Sequence, residues 1–384
     1  MECSSNSQSL PPSTSPTLHL THPTPPETLQ IWHQTSTIWK DALTASQYIE
    51  EYAHLLAAPL ARNNGITQWI LVDKSEPVDR RSVLASCETF RKRALINSSN
   101  ANGDNCMDVI AHGIASVYCA APLRNRGYAS RLLRELSKTL PTWQTEHSET
   151  RCVASVLYSD IAPGFYQRLG WSPFPSWHLE FDAEDVPHSA GFLYAEDLAT
   201  LCEEDEAILR ASMSMSTVDG GKAKRRFAII PDHDHIAWHH SKEEFGAQRL
   251  FGKIPRVKGA IAGSSGNRVW VIWTHRFYRH SDTDESGTNT LYILRFVVEG
   301  ADPAVGDVRA VLLAAQDEAA HWGLSKVKLW SPSEVLEGVI GAAGIAFERL
   351  TRTQDSISCL QWYGEADGLP GSMNWVLNEK YAWC

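Results

Sequence analysis

"CAAPLRNRGYASRLLREL", residues 119–136, joins an apolar run to an arginine-rich turn and then to a helical pattern. The stretch ahead of it, "CMDVIAHGIASVY", has the length and apolar character of a buried strand. After the turn, Leu132, Leu133 and Leu136 recur at the spacing of one buried helix face. The pattern predicts a strand, a tight turn and a helix that begins near Tyr128.

The turn has the properties of an anion-binding site. Gly127 can adopt backbone conformations that are closed to other residues, and the small Ala129 lets the chain approach a ligand closely. The amides of residues 124–129 can then converge on one anion, helped by the positive end of the helix dipole. Four arginines add positive charge: Arg124, Arg126, Arg131 and Arg134. A polyphosphate is the expected ligand, and a surface turn with scattered arginines is the alternative.

The overall composition narrows the class of protein. The chain has 384 residues, of which 43% are hydrophobic and 21% charged, as in ordinary globular proteins. Its length predicts two domains and a tail. The net charge of -10 argues against nucleic acid as a partner and favours a small cationic substrate. No apolar run is long enough to predict a membrane span, and the composition leaves the oligomeric state open.

Cysteine usage and the N-terminal residues predict a cytoplasmic protein. The eight cysteines are scattered without a CxxC pair, which is typical of reduced thiols. The first residues are rich in Ser, Thr and Pro, but lack the apolar block of a signal peptide and the arginines of a transit peptide. Residues 1–26 are therefore expected to form a disordered tail.

Strand and helix patterns alternate along both halves of the chain, which predicts a mixed α/β fold. Residues 27–182 read as helical material followed by "ITQWILVD", a long strand pair, the helix "YASRLLRELSKTL", the strand "RCVASVLYS", the short helix "IAPGFYQRLGW" and the closing strand "SWHLEFD". Residues 183–226 read as a connector. Residues 227–384 repeat the order of strands and helices and end in the strand "SISCLQWYG", so the sequence predicts a duplicated fold.

Two motifs resemble those of the GCN5-related N-acetyltransferases. The first matches that superfamily's Arg/Gln-x-x-Gly-x-Gly/Ala loop and consists of Arg124, Gly127 and Ala129. The second matches its A-x-x-x-Y-x-x-x-G-F/W segment and consists of Ala162, Tyr166, Gly170 and Trp171. They occur in the family's order, with a helix and a strand between them. The resemblance covers residues 27–182.

A closer resemblance extends over most of the chain. "GIASVYCAAPLRNRGYASRLL", "LYSDIAPGFYQRLGW" and "IAWHHSKEEF" together look like the fungal lysine ε-N-acetyltransferases. In that family a catalytic domain precedes a second acetyltransferase-like domain that lacks a coenzyme A loop. The resemblance thus implies a catalytic domain at 27–182 and a substrate or lid domain at 227–384. Ala120 and Ala121 stand where that family tends to have prolines, and Asn125 replaces a loop glycine.

The resemblance implies acetyl-coenzyme A as cosubstrate, no metal, and a small amine as acceptor. Its leading acceptor is free L-lysine, acetylated at the ε-amine; a polyamine, an amino sugar, a drug-like amine or a protein lysine is the alternative. A coenzyme A-binding scaffold without turnover is a third hypothesis. The implied cofactor contacts are Ser116, Val117 and Tyr118 at the splay of the central strand, and Arg124, Asn125, Arg126, Gly127, Tyr128, Ala129 and Ser130 in the loop.

Two residues are candidates for proton transfer. His112 lies midway along the predicted central strand and could act as general base, directly or through water; a hydrogen-bonded histidine packed under the sheet is the alternative. The resemblance places Tyr166 where family members protonate the departing thiolate, and an aromatic helix anchor is the alternative. A covalent route through Cys119 is not favoured, because no base is paired with it in the sequence.

The stretch "PDHDHIAWHH" invites a metal hypothesis, but it lacks the spacing of known zinc motifs. Instead, Trp238 and His239 resemble a "WH" pair of the lysine acetyltransferases and are candidate substrate contacts. Glu243 and Glu244 could hold a cationic amine, although a solvated helix face is the expected role for them.

Overall fold

The computed structural model describes residues 10–78, 80–100, 103–145, 150–215, 218–219, 222–223, 225–280, 288–364 and 373–383. Its helices are α1 (Pro25–Trp39), α2 (Ala45–Leu55), α3 (Tyr128–Thr139), α4 (Gly164–Gln167), α5 (Ala195–Met213), α6 (His233–Phe251), α7 (Val305–His321) and α8 (Glu334–Ala342). No helix among these residues combines the length and apolar character needed to cross a membrane.

The strands of the first half are β1 (Leu18–Thr21), β2 (Ile66–Asp73), β3 (Ala85–Asn100), β4 (Gly103–Tyr118), β5 (Cys152–Ser159), β6 (Ser172–Pro173), β7 (Trp177–Asp182) and β8 (Gly191–Leu193). The remaining strands are β9 (Val218–Asp219), β10 (Lys222–Ala223), β11 (Arg225–Ile229), β12 (Gly259–Ala262), β13 (Val269–Arg276), β14 (Thr290–Val298), β15 (Lys326–Trp330), β16 (Glu348–Thr351), β17 (Ile357–Trp362) and β18 (Met373–Trp375).

Two large mixed sheets form the body of the protein, which confirms the predicted α/β class. The first runs β1-β2-β3-β4-β5-β17-β6, with β11 paired to β3 and β18 paired to β11. The second runs β16-β7-β15-β14-β13-β12-β8. Parallel pairs, such as β4 with β5 and β14 with β15, lie among antiparallel ones.

The first sheet is covered on both faces, as the period-two pattern of β2 illustrates. Trp69 and Leu71 pack in the core that contains the buried leucines of α3. The alternate residues Ile70 and Val72 pack with Ile31 of α1 on the other face. Helix α3 therefore lies on one face of this sheet and α1 on the other.

The division of the chain predicted at residue 182 does not follow the sheets. Strand β7, expected to close the first unit, pairs with β15 and β16 in the second sheet. Strand β17, expected in the second unit, pairs with β5 and β6 in the first. Each half of the chain thus contributes to the sheet of the other half, and β11 and β18 join the first sheet as well. Strands β7 and β17 are both only six residues long, and their sequences carry no signal of which sheet they join.

The predicted disordered tail is corrected for residues 10–26. Strand β1 pairs with β2, and α1 begins at Pro25. Ahead of β1, the hydroxyl of Tyr128 donates to the carbonyl oxygen of Pro11 (2.6 Å), and Arg131 donates to that of Ser13 (3.0 Å). These side chains bind backbone that composition alone marked as unstructured. Residues 1–9 lie outside the described part of the chain.

The predicted connector also contributes to the folded body. Leu198 and Leu201 of α5 are buried in the core that joins the two sheets. Asp205 of the same helix forms a bidentate ion pair with Arg295 of β14, with both oxygens 2.8 Å from the guanidinium. At the end of the segment, β11 pairs with β3. Helix α5 therefore packs against both halves.

The strand exchange predicts that the first half does not fold alone. A fragment of residues 10–182 lacks β17 and leaves β5 with one unpaired edge, so it should show no cooperative urea unfolding when followed by circular dichroism. Co-expression with residues 183–384 should restore a cooperative transition. Cooperative unfolding of the fragment alone would contradict this assignment.

Candidate active site

The pairing of β4 with β5 ends in the middle of the first sheet. The parallel register runs from Ile110 to Ile114 on β4, although both strands continue beyond it. Ser116 then adopts a left-handed backbone conformation, with φ of 53°. The register of β4 with β3 skips Ser116 and Val117 at this bulge. The sheet therefore opens where the resemblance implies that cofactor contacts lie.

The turn between β4 and α3 has the backbone of an anion site. Asn125 and Gly127 both have positive φ, 62° and 85°. Helix α3 begins at Tyr128, as predicted, and no side chain of the described residues caps its first turn. The first N–H groups of such a helix are suited to bind an anion. Arg124 and Arg126 beside them are exposed.

One of the four arginines expected in the positive patch has another role. Arg131 binds the carbonyl oxygens of Ser13 (3.0 Å) and Leu18 (3.3 Å), and forms an ion pair with Glu135 (3.0 Å). It therefore fastens the N-terminal segment to α3. The same segment comes close to the turn, because a Cβ at Gly127 would lie 2.7 Å from Ser13 Oγ. A glycine is therefore favoured at position 127 for two reasons: the positive φ and the close approach of Ser13.

A cavity of about 1020 Å³ lies on the face of the first sheet opposite α3. At the bulge it is lined by Glu88, Ser116 and Trp238, and farther along by residues of the second sheet such as Tyr292 and Lys328. Cys87 packs in the core under α3, whereas Glu88, the next residue of β3, faces the cavity. The opening between β4 and β5 lies between the cavity and the helix that carries the turn.

Glu88 is the functional candidate that the sequence analysis missed. The hydroxyl of Ser116 donates to its Oε2 (3.0 Å), and the amide of Gln68 donates to its Oε1 (3.2 Å). The phenol of Tyr52 lies 3.2 Å from Ser116 Oγ and extends this network. Burial raises the pKa of Glu88. A carboxyl with a raised pKa in a cavity wall is suited to proton transfer.

The structure places His112 away from this cavity. Its Nε2 lies 3.3 Å from Gln144 Oε1 and its Nδ1 lies 3.4 Å from Cys152 Sγ. The ring is fully buried, and burial lowers its pKa to about 4. This position corresponds to the alternative interpretation, a hydrogen-bonded histidine packed under the sheet, and His112 is not among the described residues that line the cavity.

Tyr166 lies on α4, in the core under the opened edge of β4. Cys87 and Leu157 belong to the same core. Burial raises its pKa above the usual value for tyrosine, with a further contribution from Asp160. No hydrogen-bond partner of its hydroxyl is found in the described ranges. The phenol therefore stays protonated at neutral pH and has a proton to donate.

The "WH" pair divides between two environments. Trp238 lines the large cavity and packs edge-on against Phe90, with ring centroids 5.1 Å apart. His239 is buried, and its Nε2 hydrogen-bonds to the carbonyl oxygen of Tyr381 (3.1 Å). Trp238 is thus positioned to contact a ligand of the large cavity, whereas His239 holds the C-terminal segment.

The histidine-rich stretch forms the start of helix α6, with Asp232 as its N-cap. The described residues contain no group of three potential metal ligands. Cys119, the other residue weighed for covalent chemistry, donates its thiol to the carbonyl oxygen of Leu84 (3.3 Å), and burial raises its pKa. Its thiol is therefore poorly suited to act as a nucleophile.

The expectation of a solvated face at Glu243 is wrong. Its carboxylate is buried and accepts from Lys258 Nζ (2.6 Å) and from His275 Nδ1 (2.7 Å). Burial favours the neutral acid, but His275 and Lys258 hold the pKa of Glu243 below its usual range. Glu244 lies nearer the surface and contacts Lys258 at 2.8 Å. Glu243 therefore joins α6 to the second sheet.

Comparisons with known proteins agree with this architecture. The family model described as "LYC1 GNAT-like C-terminal domain" matches residues 176–384. No curated protein matches the chain. A conserved protein of unknown function from Enterococcus faecalis V583, described as a "Probable N-Acyltransferase", is 12% identical, with a TM-score of 0.50 over 90% of this chain and 72% of that one. This likeness concerns the fold.

Two further solved structures are similar over the same extent. A GCN5-related N-acetyltransferase from Kribbella flavida is 14% identical, covering 90% of this chain and 72% of that one, with a TM-score of 0.47. A GCN5-related N-acetyltransferase from Anabaena variabilis ATCC 29413 is 13% identical, covering 89% of this chain and 72% of that one, with a TM-score of 0.48.

The two glutamates on α6 give a direct test of the buried ion pair. Glu243→Gln should lower the free energy of unfolding by about 3–5 kcal/mol at pH 7, because it leaves buried cationic groups without their counter-charge. Glu244 contacts the same lysine, but its side chain is 38% exposed. Glu244→Gln should therefore lower the free energy of unfolding by less than about 1 kcal/mol. Urea unfolding measures both. Equal losses would contradict the buried role of Glu243.

Proposed function

Because the chain belongs to the family described as the LYC1 GNAT-like C-terminal domain, we propose that it transfers the acetyl group of acetyl-coenzyme A to the ε-amine of free L-lysine. The observation that carries this proposal is the opening between β4 and β5. It adjoins the turn that leads into α3 and a cavity lined by Glu88, a carboxyl whose pKa is raised by burial. The proposed reaction is direct attack of the amine in a ternary complex.

The turn before α3 fits the phosphates of acetyl-coenzyme A. Positive φ at Asn125 and Gly127 is typical of backbone turns whose amides bind an anion, and the helix N-terminus adds its dipole. Arg124, Arg126 and the following residues 128–130 complete this predicted contact set. Ser116, Val117 and Tyr118 would contact the pantetheine arm along the opened edge of β4. Acetyl-coenzyme A would supply an acetyl group activated as a thioester.

Glu88 supports the removal of a proton from the acceptor. An ε-ammonium with a pKa of about 10.4 must lose a proton before it attacks, which costs about 4.6 kcal/mol at pH 7. The carboxylate of Glu88 can take that proton directly, or through Ser116, whose hydroxyl it already binds. The raised pKa of Glu88 brings it closer to neutral pH, where a general base works best.

Two other groups support the later steps. Negative charge that develops on the acetyl oxygen can be stabilised by the backbone at Ser116 and Val117, which the β3 register leaves out. Tyr166 can return a proton to the departing thiolate, because burial keeps its phenol protonated. Trp238 would contact the acceptor from the cavity wall.

An acceptor panel tests the proposal. Release of coenzyme A thiol from acetyl-coenzyme A should be selective for L-lysine over D-lysine, ornithine, spermidine, glucosamine and a lysine-bearing peptide. Tyr166→Phe should lower kcat about 10²-fold, since the leaving thiolate loses its acid. Tyr194→Phe, on an exposed side chain, is the matched control.

Each result of the panel has a distinct meaning. Turnover of another amine would keep the acetyltransferase and reject lysine as the acceptor. Binding of coenzyme A without turnover of any amine would favour the scaffold hypothesis. Full kcat in Tyr166→Phe would end the proton-donor role of Tyr166.

The base role of Glu88 has a signature in the pH profile. Glu88→Gln should lower kcat/KM about 10²–10⁴-fold at pH 7, and less as the pH approaches the pKa of the amine, where the acceptor deprotonates unaided. In the unmodified protein the rate should fall as the pH drops through the raised pKa of Glu88. Glu348→Gln, on the exposed strand β16, is the control. An equal loss at every pH would contradict the base role.

A further inference from the structure

Lys380 differs from the other lysines of the large cavity. Five described lysines line this cavity. Four have polar partners: Lys40 with the carbonyl oxygen of Leu43, Lys242 with Glu51, Lys326 with Glu180 and Asp182, and Lys328 with Glu180. Lys380 is only 5% exposed, and no hydrogen bond or ion pair to its Nζ is found in the described ranges.

Aromatic rings hold Lys380 in place. Its Nζ lies 3.7 Å from the ring centroid of Trp383, 4.4 Å from that of Trp330 and 4.7 Å from that of Tyr292. The rings stabilise a cation through their faces, but they offer no hydrogen-bond acceptor for the three N–H groups of an ammonium. The remaining directions around Nζ include the cavity that Lys380 lines.

Two arginines add positive charge around Lys380. Arg276 stacks on Trp383 at 5.5 Å, and its charge is already paired with Asp41 (2.7 Å). Arg352 stacks on Trp330 at 3.8 Å, and its buried Nη2 has no hydrogen-bond partner among the residues that the structure describes. These arginines and Lys380 therefore meet around two shared tryptophans.

Nearby acids do not supply the missing counter-charge. Asp160 accepts from the backbone amide of Ser356 (3.1 Å), and burial, with a smaller contribution from Asp355, raises its pKa. Neither Asp160 nor Asp355 forms an ion pair with Lys380 at 4 Å or less. Burial, followed by Arg276, holds the pKa of Lys380 well below its usual range despite these two acids. A bound anion would reverse that imbalance.

We propose that Lys380 binds a carboxylate of the acceptor, so that the enzyme selects amines that also carry a free carboxylate. This inference rests on the proposed function and names the residue that would distinguish a free amino acid from a polyamine or a peptide lysine. A phosphate of acetyl-coenzyme A shares the required charge. The carboxylate is favoured because the phosphate turn leads into α3, which packs on the opposite face of the sheet from the cavity.

The variant Lys380→Met removes the ammonium and keeps an unbranched apolar chain among the three rings. Lys253→Met is the matched control, because Lys253 also lies over a tryptophan, 4.4 Å from the Trp322 ring centroid, but is exposed and outside the lining of the cavity. Initial rates are measured with L-lysine and with L-lysine amide, which keeps the ε-amine and lacks the carboxylate. Thermal unfolding of each variant checks its folding.

Lys380→Met should raise KM for L-lysine at least tenfold, with kcat little changed, and leave the KM values for the amide and for acetyl-coenzyme A as they were. Lys253→Met should change none of them. Equal increases for L-lysine and its amide would reduce Lys380 to a structural role and overturn the proposal. An increase in KM for acetyl-coenzyme A alone would assign the anion to a phosphate and overturn it as well.

Binding measurements separate this proposal from the proposed function. If no amine is acetylated, calorimetry with L-lysine and its amide still decides: carboxylate-dependent binding that Lys380→Met abolishes supports the site, and equal or absent binding overturns it. If Lys380→Met does not fold, the unmodified protein is compared on L-lysine, its amide and 1,5-diaminopentane. A preference for L-lysine below threefold would then overturn the proposal.

Discussion

The end of the β4–β5 pairing is the constraint on which the candidate site depends. Sheet hydrogen bonds must be satisfied in a protein interior, so an opening in the middle of a sheet persists only where the surrounding strands hold it. Here β3 holds one side through its long register with β4, and β17 holds the other through its register with β5. At the point where β4 separates from β5, Ser116 adopts a strained, left-handed backbone conformation. The cavity, the Glu88 network and the turn before α3 all adjoin this opening.

Charge in the interior of this protein is mostly balanced by direct partners. Arg295 lies between Asp205 and Glu379, each at 2.8 Å or less, and Lys258 lies between Glu243 and Glu244. Such pairs compensate the loss of hydration that burial imposes on each charge. Two charged residues of the cavity differ from this pattern: Glu88 has neutral hydrogen-bond partners, and Lys380 is surrounded by aromatic rings. Glu88 lies on β3 of the first sheet, and Lys380 lies in a short helical turn after β18.

Local structure followed from the sequence more closely than the pairing of strands did. The run "ITQWILVD" coincides with β2, and α3 starts at Tyr128 as its leucine spacing predicted, because these patterns depend on a few neighbouring residues. Strands β7 and β17 were recognised as strands, but their partners lie far away along the chain. Residues 10–26 were misjudged, since their order depends on side chains of α3 that composition does not report.

In the candidate site, too, local motifs were recognised from the sequence, whereas residues whose role depends on distant contacts were not. The glycine turn and Tyr166 were found through motifs, and their roles stay predictions. Glu88 was overlooked because "ASCETF" reads as an alternating strand, in which a glutamate is expected to face water. The side chain of Glu88 is buried because the second sheet and the helices around the cavity cover this face of β3. Conversely, His112 looked well placed along the strand, but it lies on the face that α3 covers.

The exchange of β7 and β17 also orders events during synthesis. Strand β5 has its final neighbour only after residue 357 has emerged, and the intervening chain contains the strands of the second sheet. Until then the first sheet presents the open edge of β5 to other chains. Contacts this distant in sequence are slow to form. The opened strands, and with them the candidate site, therefore reach their final form only after β17 has been synthesised and has paired with β5.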